Sequence, residues 1–537
     1  MHDDFNLIDD MFTIDSPLGP IATPIGELRR ARRFHDVLFD PATKLSRRSD
    51  DLRPWVIAGR RGAGKTAFLY HRCFSGLYEH KIGIESAQVF RAVCRMVESV
   101  IDNDNQGYAP FVENVSRLWK AIFVTSIASA VCLAYKHHAT FKDDPYLLAM
   151  ADYLQRIGIN RQTAPRAIMN QLLKKAREYD ANASLQVTED LEDVLINQIG
   201  VGEATDALEA FCENHKQRVI VLIDSVEHFP IDDFRMDAAA SGLLHLLSQL
   251  RLSYSPIHIC YCLPSELYQH FATRISANPE KDFESKLMLQ WSAYELIKMS
   301  ALRLDKYFRT TPRLRMRGDN GLPDMPDRED VYRFWWRLMP KRVTNNLGKD
   351  EDSFAYVLRH TQLLPRHVIG IFNQIIRLSL SRDDEEFGIT EDDIVRGVRL
   401  AANSICTGIL SSYRLIHPAS TELCESMLPH MTNAFSMSEF RLFYRDYGRG
   451  IVNDYHEAFQ TFKELGIFGI VFDETKIYYK GEFEYTQPGS LAISEEDTFC
   501  IHPAFASEYR VGRENGGWSS KKEVYPHGTD LEEDLAA

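Results

Sequence analysis

The chain has 537 residues, of which 45% are hydrophobic and 26% are charged, a composition that indicates globular domains and excludes an intrinsically disordered chain. Its formal net charge of −14 argues against nonspecific coating of nucleic acid, so any such contact would need a local basic patch. The nine scattered cysteines contain no CxxC pair and are interpreted as core thiols of a reducing cytosol, with a metal site or a disulfide as the alternative.

The N-terminal segment, residues 1–50, opens with the acidic stretch MHDDFNLIDD. Secretory signals and transit peptides are basic near their start, so neither is indicated. The first strong signal follows at WVIAGRRGAGKTAFLY, residues 55–70, which contains the complete pattern G-x4-G-K-[ST]. An apolar strand precedes this pattern and a helix-compatible run follows it, which is the context that a phosphate-binding loop requires.

The physical chemistry of phosphate binding explains each residue type in this loop. Glycines let the backbone curl so that successive N–H groups point inward, and the following helix adds the positive end of its dipole. Lys65 is predicted to reach the β- and γ-phosphates, and Thr66 to offer a hydroxyl to Mg²⁺. The predicted binding residues are Gly59, Arg60, Arg61, Gly62, Ala63, Gly64, Lys65, Thr66 and Ala67.

A helix-rich stretch, about 95–215, follows the loop and shows apolar residues at three- and four-residue spacing. We interpret it as a helical insertion that either offers a partner surface or covers the sheet. Its apolar run 121–135 is shorter than the about 20 residues of a membrane span and contains Ser and Thr. This run predicts a buried helix of the protein core. We accordingly expect a cytoplasmic protein that does not contact a membrane.

The next strand, RVIVLIDSVEHF at 218–229, carries five apolar residues and then Asp224. Ligands of open α/β sheets bind at the carboxyl ends of strands, so Asp224 is the predicted Mg²⁺ partner of Thr66. In phosphate-loop NTPases, which this loop and strand resemble, a glutamate often follows the acid, and here that position is Ser225. The next acid is Glu227, which either orients the attacking water or is a surface residue.

A third strand, IHICYCLPSELY at 257–268, ends in polar residues. Ser265 is predicted either to contact the γ-phosphate or the attacking water, or to cap a helix. Another apolar strand entering a helix follows at 285–304, and then comes the stretch TQLLPRHVIGIFNQII at 361–376. Between them, 309–330 is predicted to be an exposed loop. Its arginines either bind a phosphate backbone or an acidic partner, or pair with the loop's own acids; they are Arg309, Arg313, Arg315 and Arg317.

This succession resembles the AAA+ and STAND classes of P-loop ATPases, especially the origin-recognition type and bacterial ATPases found beside antiphage-defence genes. The resemblance covers about 50–400 and implies an ASCE-type parallel sheet that binds ATP and Mg²⁺. It implies that Arg366, after Pro365, senses the γ-phosphate from a lid helix, with a surface salt bridge as the alternative. It also implies that Arg274 reaches a neighbouring subunit's site, with a purely structural role as the alternative.

From about 418 the pattern changes to two helices and a hairpin, an order that resembles a winged helix. The first of these helices opens with the capping box Ser436-x-x-Glu439, and Gly466 closes the second. That second helix is acidic, which favours a protein contact over DNA reading. The predicted domains are 1–50, an α/β core at 51–292, a helical lid at 293–400, a winged helix at 401–520 and an acidic tail at 521–537.

The expected activity is therefore ATP binding with slow hydrolysis, used as a nucleotide-dependent switch or assembly regulator, with antiphage defence as the setting. Partners would be further copies of the chain or an effector protein. Two alternatives are open: an origin-recognition-type loader that uses the winged helix on DNA, and a scaffold that binds nucleotide without hydrolysis.

Overall fold

The computed structural model describes residues 12–21, 55–74, 78–84, 108–159, 199–224, 234–250, 256–265, 267–268, 286–310, 327–382, 387–414, 416–486, 491–514, 517–518 and 522–529, with scattered residues at 93, 167–175 and 325. They fall into two compact units. The sheet unit lies within Lys44–Arg60 and Lys65–Leu289, and the C-terminal unit lies within Met1–Thr43, Arg61–Gly64 and Gln290–Ala537.

The sheet unit is built on five parallel strands with the order β2-β3-β4-β1-β5. Their apolar residues are buried on both faces of the sheet, as continuous runs of Val, Ile and Leu predict. The α/β class with a parallel sheet is therefore confirmed. The strands are β1 at Val56–Gly59, β2 at His80–Ile84, β3 at Val219–Ile223, β4 at Ile257–Pro264 and β5 at Leu287–Met288.

Helices pack against this sheet, and all of them except the first share one apolar core with it. They are α1 at Lys65–Phe74, α2 at Tyr108–Tyr135, α3 at Pro145–Arg156, α4 at Val201–Asn214 and α5 at Phe234–Leu250. The indole N–H of Trp119 on α2 donates to the carbonyl oxygen of Ala239 on α5 at 2.9 Å. The described helices of the predicted insertion therefore cover the sheet, which favours the second interpretation of that stretch.

Helix α2 includes the apolar run 121–135. By length and composition its stretch Val112–Tyr135 is apolar enough to cross a membrane, but 67% of its most apolar window is buried inside the fold. The prediction of a buried core helix is confirmed. The neighbouring β4 buries Cys260 and Cys262, and the seven cysteines that the structure describes are free thiols.

The C-terminal unit begins with a helical part. It comprises α6 at Ala293–Thr310, α7 at Arg328–Leu338, a hairpin of β6 at Arg342–Thr344 and β7 at Asp350–Asp352, α8 at Ser353–Arg359, α9 at Pro365–Leu380 and α10 at Glu391–Tyr413. Helix α10 starts with a capping box at Thr390 and runs unbroken through the predicted boundary between 400 and 401. The predicted lid and winged helix thus share one compact unit.

A second, mixed sheet with the order β14-β10-β9-β11-β8 forms the rest of this unit. Its elements are α11 at Ser420–Met427, β8 at Ala434–Ser436, α12 at Met437–Phe443, α13 at Tyr455–Glu464, β9 at Phe468–Glu474, β10 at Tyr478–Phe483, β11 at Thr498–Ile501, α14 at Pro503–Glu508, the pair β12 at Arg513–Glu514 and β13 at Gly517–Trp518, and β14 at Glu523–Pro526.

Three local predictions for this part can be compared with the structure. The capping box at Ser436 and Glu439 forms, and Gly466 follows α13 with a φ of 69°, so both are confirmed. Strand β14, by contrast, lies inside the stretch predicted as an acidic tail and pairs in parallel with β10. The short EVYP segment carries too little periodicity to predict a strand, and the fold extends at least to Thr529, which is fully buried.

Candidate phosphate-binding site

A loop of five residues, 60–64, connects the end of β1 at Gly59 to the start of α1 at Lys65. Gly62 and Gly64 have φ values of 94° and 91°, in the left-handed region that L residues with a side chain rarely adopt. The backbone path of the loop therefore requires the second glycine of the motif, Gly64, and also Gly62, which occupies one of the four variable positions of the motif.

Lys65 is buried, with 4% of its surface exposed. Its ammonium group donates to the carbonyl oxygens of Gly59 at 2.9 Å and of Arg60 at 3.2 Å. These contacts hold the positive charge inside the loop at the N-terminal end of α1, where the helix dipole also favours anions. The arrangement suits an anion with several oxygens.

Thr66 and Asp224 lie together, although 158 positions separate them in the sequence. The Thr66 hydroxyl donates to both carboxylate oxygens of Asp224, at 3.1 Å and 3.0 Å, and Asp224 follows directly after β3. A hydroxyl and a carboxylate are oxygen ligands of the kind that Mg²⁺ prefers. The part of the chain that the structure describes contains no group of three or more His, Cys, Asp or Glu side chains that could hold a metal ion. No such group is needed where Mg²⁺ is held by one carboxylate and one hydroxyl together with water and phosphate oxygens.

Strand β4 lies between β1 and β3, so its carboxyl end is next to both the loop and Asp224. Pro264 pairs with Gly59, and the buried Ser265 comes directly after it. The Cys262 thiol contacts the carbonyl oxygen of Lys65 at 3.7 Å. Ser265 therefore directly follows Pro264, the residue of β4 that pairs with Gly59 at the start of the loop.

The tip of the loop, Arg61–Gly64, belongs to the C-terminal unit. Within this unit the indole N–H of Trp291 donates to the carbonyl oxygen of Ala63 at 2.8 Å, and a guanidinium nitrogen of Arg61 reaches the carbonyl oxygen of Ser411 at 3.5 Å. Neither contact was anticipated from the sequence, where Trp291 is only an aromatic residue just after a short strand.

Arg366 is the second residue of α9 and lies against Gly62. Its backbone N–H donates to the carbonyl oxygen of Gly62 at 3.4 Å. A Cβ atom added to Gly62 would lie 2.9 Å from Cβ and 3.4 Å from Nε of Arg366. Among the described residues the buried Nε atom has no hydrogen-bond partner. The arginine predicted to sense a phosphate is therefore packed on a glycine of the phosphate loop.

Several predicted residues lie outside the described part of the chain. They are Glu227, Arg274 and Ser225, together with Arg313, Arg315 and Arg317 of the arginine-rich loop. Arg309 of that loop is described, at the end of α6, where it pairs with Asp305. Asp305 belongs to the helix and not to the predicted loop 309–330, so this pairing does not test whether the loop's arginines pair with the loop's own acids.

Comparisons with known proteins return no matching protein-family model and no significant match among curated proteins.

Proposed function

We propose that this protein is an ATP-binding, slowly hydrolysing ATPase of the AAA+/STAND type, which acts as a nucleotide-dependent switch or assembly regulator. The single observation that carries the proposal is the hydrogen bond from Thr66 to Asp224, next to the buried Lys65. This hydrogen bond brings together the hydroxyl that follows the glycine-rich loop and the carboxylate at the end of a buried strand. A Mg²⁺–nucleotide site requires both groups.

The sheet supports the same proposal. Its order, with β4 inserted between the loop strand β1 and the acid strand β3, is the order expected of an ASCE-type sheet. In open α/β sheets ligands bind outside the carboxyl ends of the strands, which is where Thr66, Asp224 and Ser265 lie.

In this proposal Lys65 and the loop amides bind the phosphates, and Thr66 and Asp224 hold Mg²⁺, which would neutralise phosphate charge. Glu227 orients the attacking water, and Ser225 in place of a glutamate accounts for slow turnover. Arg366 discriminates between nucleoside triphosphate and diphosphate, since a guanidinium binds phosphate oxygens in a bidentate way. Arg274 contributes to the site of a neighbouring copy.

The partners we propose are further copies of the chain or an effector protein, in the cytoplasm and within antiphage defence. The alternative of a DNA loader is less favoured because α13 carries Glu457 and Glu464 and is capped by Asp454. Its Lys463 lies 3.8 Å from the carboxylate of Glu484, so that this charge is partly neutralised. Phosphates would be repelled by such a helix.

The proposal is tested by Lys65→Ala. We expect ATP affinity to fall at least about tenfold, because charge-assisted hydrogen bonds to phosphate are lost, while the circular dichroism spectrum is unchanged. Affinity is measured by calorimetry in the presence of Mg²⁺. Lys81→Ala, which removes an exposed lysine of β2, is the matched control. Wild-type ATP affinity in the Lys65 variant would contradict the site.

A further inference from the structure

A five-residue turn, His360–Leu364, connects α8 to α9 and ends directly before Pro365 and Arg366. Leu363 adopts a φ of 49°, which is unusual for a residue with a side chain and shows that the surroundings hold the turn in place. The conformation of this turn sets where the first residues of α9 lie, and therefore where Arg366 lies.

The C-terminal sheet and its helices hold this turn through buried hydrogen bonds. The Gln362 side-chain amide donates to the carbonyl oxygens of Leu465 at 2.9 Å and of Gly466 at 3.3 Å. The His502 imidazole Nε2 lies 3.1 Å from the carbonyl oxygen of Thr361. Gln362 is 2% exposed, so these bonds are formed away from water, where a lost partner is costly.

Leu465 and Gly466 are the two residues that directly follow α13. This is the helix that would contact a partner or DNA in a winged-helix domain. Its C-terminal end is therefore hydrogen-bonded to Gln362, four residues before Arg366. On the other side of the turn, the backbone N–H of Gln362 donates to Nδ1 of His367 on α9 itself. Gln362 thus contacts both α13 and the first turn of α9.

We propose that Gln362 is a positioning residue for Arg366. It fixes the end of α13 to the turn before α9 and so holds the guanidinium against Gly62. A displacement of α13 would be transmitted through Gln362 to the residue that distinguishes ATP from ADP. This inference rests on the proposed role of Arg366 and names the element that regulates it.

The test compares Gln362→Met with wild type. Methionine keeps the length of the side chain but has no N–H donors. The readout is the ratio of the affinities for a non-hydrolysable ATP analogue and for ADP, each measured by calorimetry with Mg²⁺. We expect Arg366→Ala to lower this ratio at least about tenfold and Gln362→Met to lower it at least about threefold, because charge-assisted bonds to the γ-phosphate are weakened. The double variant should equal Arg366→Ala within about twofold, as expected for residues that act in series.

Asn433→Leu is the matched control. Asn433 is also a buried amide of the C-terminal unit, its side-chain nitrogen donates to the carbonyl oxygen of Lys522 at 3.4 Å, and its Oδ1, like Oε1 of Gln362, has no partner among the described residues. It should lower thermal stability without changing the ratio. If Gln362→Met does not fold, Gln362→Asn keeps the amide on a shorter side chain, and the same fall in ratio is expected from it.

The outcomes separate the two proposals. An unchanged ratio in Arg366→Ala would overturn the sensing role of Arg366 and the positioning role with it. A fall in Arg366→Ala without a fall in the Gln362 variants would overturn the positioning role alone. A further fall in the double variant, or an equal fall in Asn433→Leu, would show that Gln362 does not act through Arg366.

Discussion

His360, the residue after α8, is buried beside a permanent positive charge. Its Nδ1 atom lies 2.7 Å from the carbonyl oxygen of Tyr356, and its ring packs on the Tyr356 ring. Burial lowers the pKa of His360 well below its ordinary value of 6.5, and the neighbouring Arg359 and His502 lower it further. The folded protein therefore keeps this imidazole neutral at a pH where the unfolded chain binds a proton.

The free energy of unfolding should fall as the pH drops below about 6.5. Because the unfolded state then binds more protons than the folded state, His360 contributes a loss of up to about 1.4 kcal/mol per pH unit. Urea unfolding at pH 7.5, 6.5 and 5.5 measures this loss in the free energy of unfolding. The His360→Gln variant should lose less stability over this pH range than wild type. Equal losses in the two proteins would show that His360 does not carry the effect.

Residues whose chemistry is local could be predicted from the sequence. One short sequence pattern specifies Gly59, Gly64 and Lys65, and Asp224 is indicated by its place after an apolar run. The contact of Arg366 with Gly62 could not be derived from the residues alone, because two distant segments must first be brought together by the fold. For Arg366 only the family resemblance supplied the expectation.

The N-terminal segment, residues 12–21, is bound to two helices of the C-terminal unit. The side-chain amide of Asn373 on α9 accepts from the backbone N–H of Leu18 at 2.7 Å and donates to the carbonyl oxygen of Gly19 at 3.1 Å. Arg303 on α6 donates to the carbonyl oxygen of Leu18 at 2.8 Å, and burial lowers the pKa of Arg303 to about 10. Leu18 is fully buried, so the segment is part of the folded unit.

We expect Leu18→Ala to lower the free energy of unfolding by about 2 to 5 kcal/mol, the usual cost of a buried leucine truncated to alanine. Ile14→Ala is the control in the same segment, since Ile14 is 65% exposed and should change stability by less than about 0.5 kcal/mol. Chemical denaturation measures both variants. Similar values for the two would mean that the segment does not pack as described.

Strands and helices with a strong local signal could be predicted, among them β1, β3, β4 and the capped α12. The attachment of Phe12–Ile21 could not, because ten residues show no periodicity and the partner Asn373 lies 355 positions after Leu18. Strand β5 is only two residues long, but the apolar run that contains it is followed by a helix, as predicted.

For the whole molecule, the described residues form two compact units, one with the parallel sheet and one with the helical part and the second sheet. The sheet unit contains Lys65, Thr66 and Asp224, and the C-terminal unit contains Arg366. If the proposed function holds, the γ-phosphate should change the assembly of the protein, and hydrolysis should be slow.

We expect the particle mass to at least about double with ATP and Mg²⁺ but not with ADP, and the turnover to be below about 1 s⁻¹, at the slow end for enzymes. Mass photometry and phosphate release measure these quantities, with and without duplex DNA, and Lys65→Ala is the control. Turnover stimulated by DNA would favour the loader. Constant mass without turnover would favour the scaffold.

The ion cluster of Arg359 determines where the chain can be shortened. The buried guanidinium of Arg359 bonds to Glu351 and, at 3.2 Å, to Glu523 of β14, while the Tyr525 hydroxyl donates to Glu351. Cutting the gene after codon 520 would delete Glu523 and Tyr525 and expose an edge of β10. A fragment made for expression, or for fusion to a reporter tag, should therefore include the chain through Thr529, although the final residues are acidic.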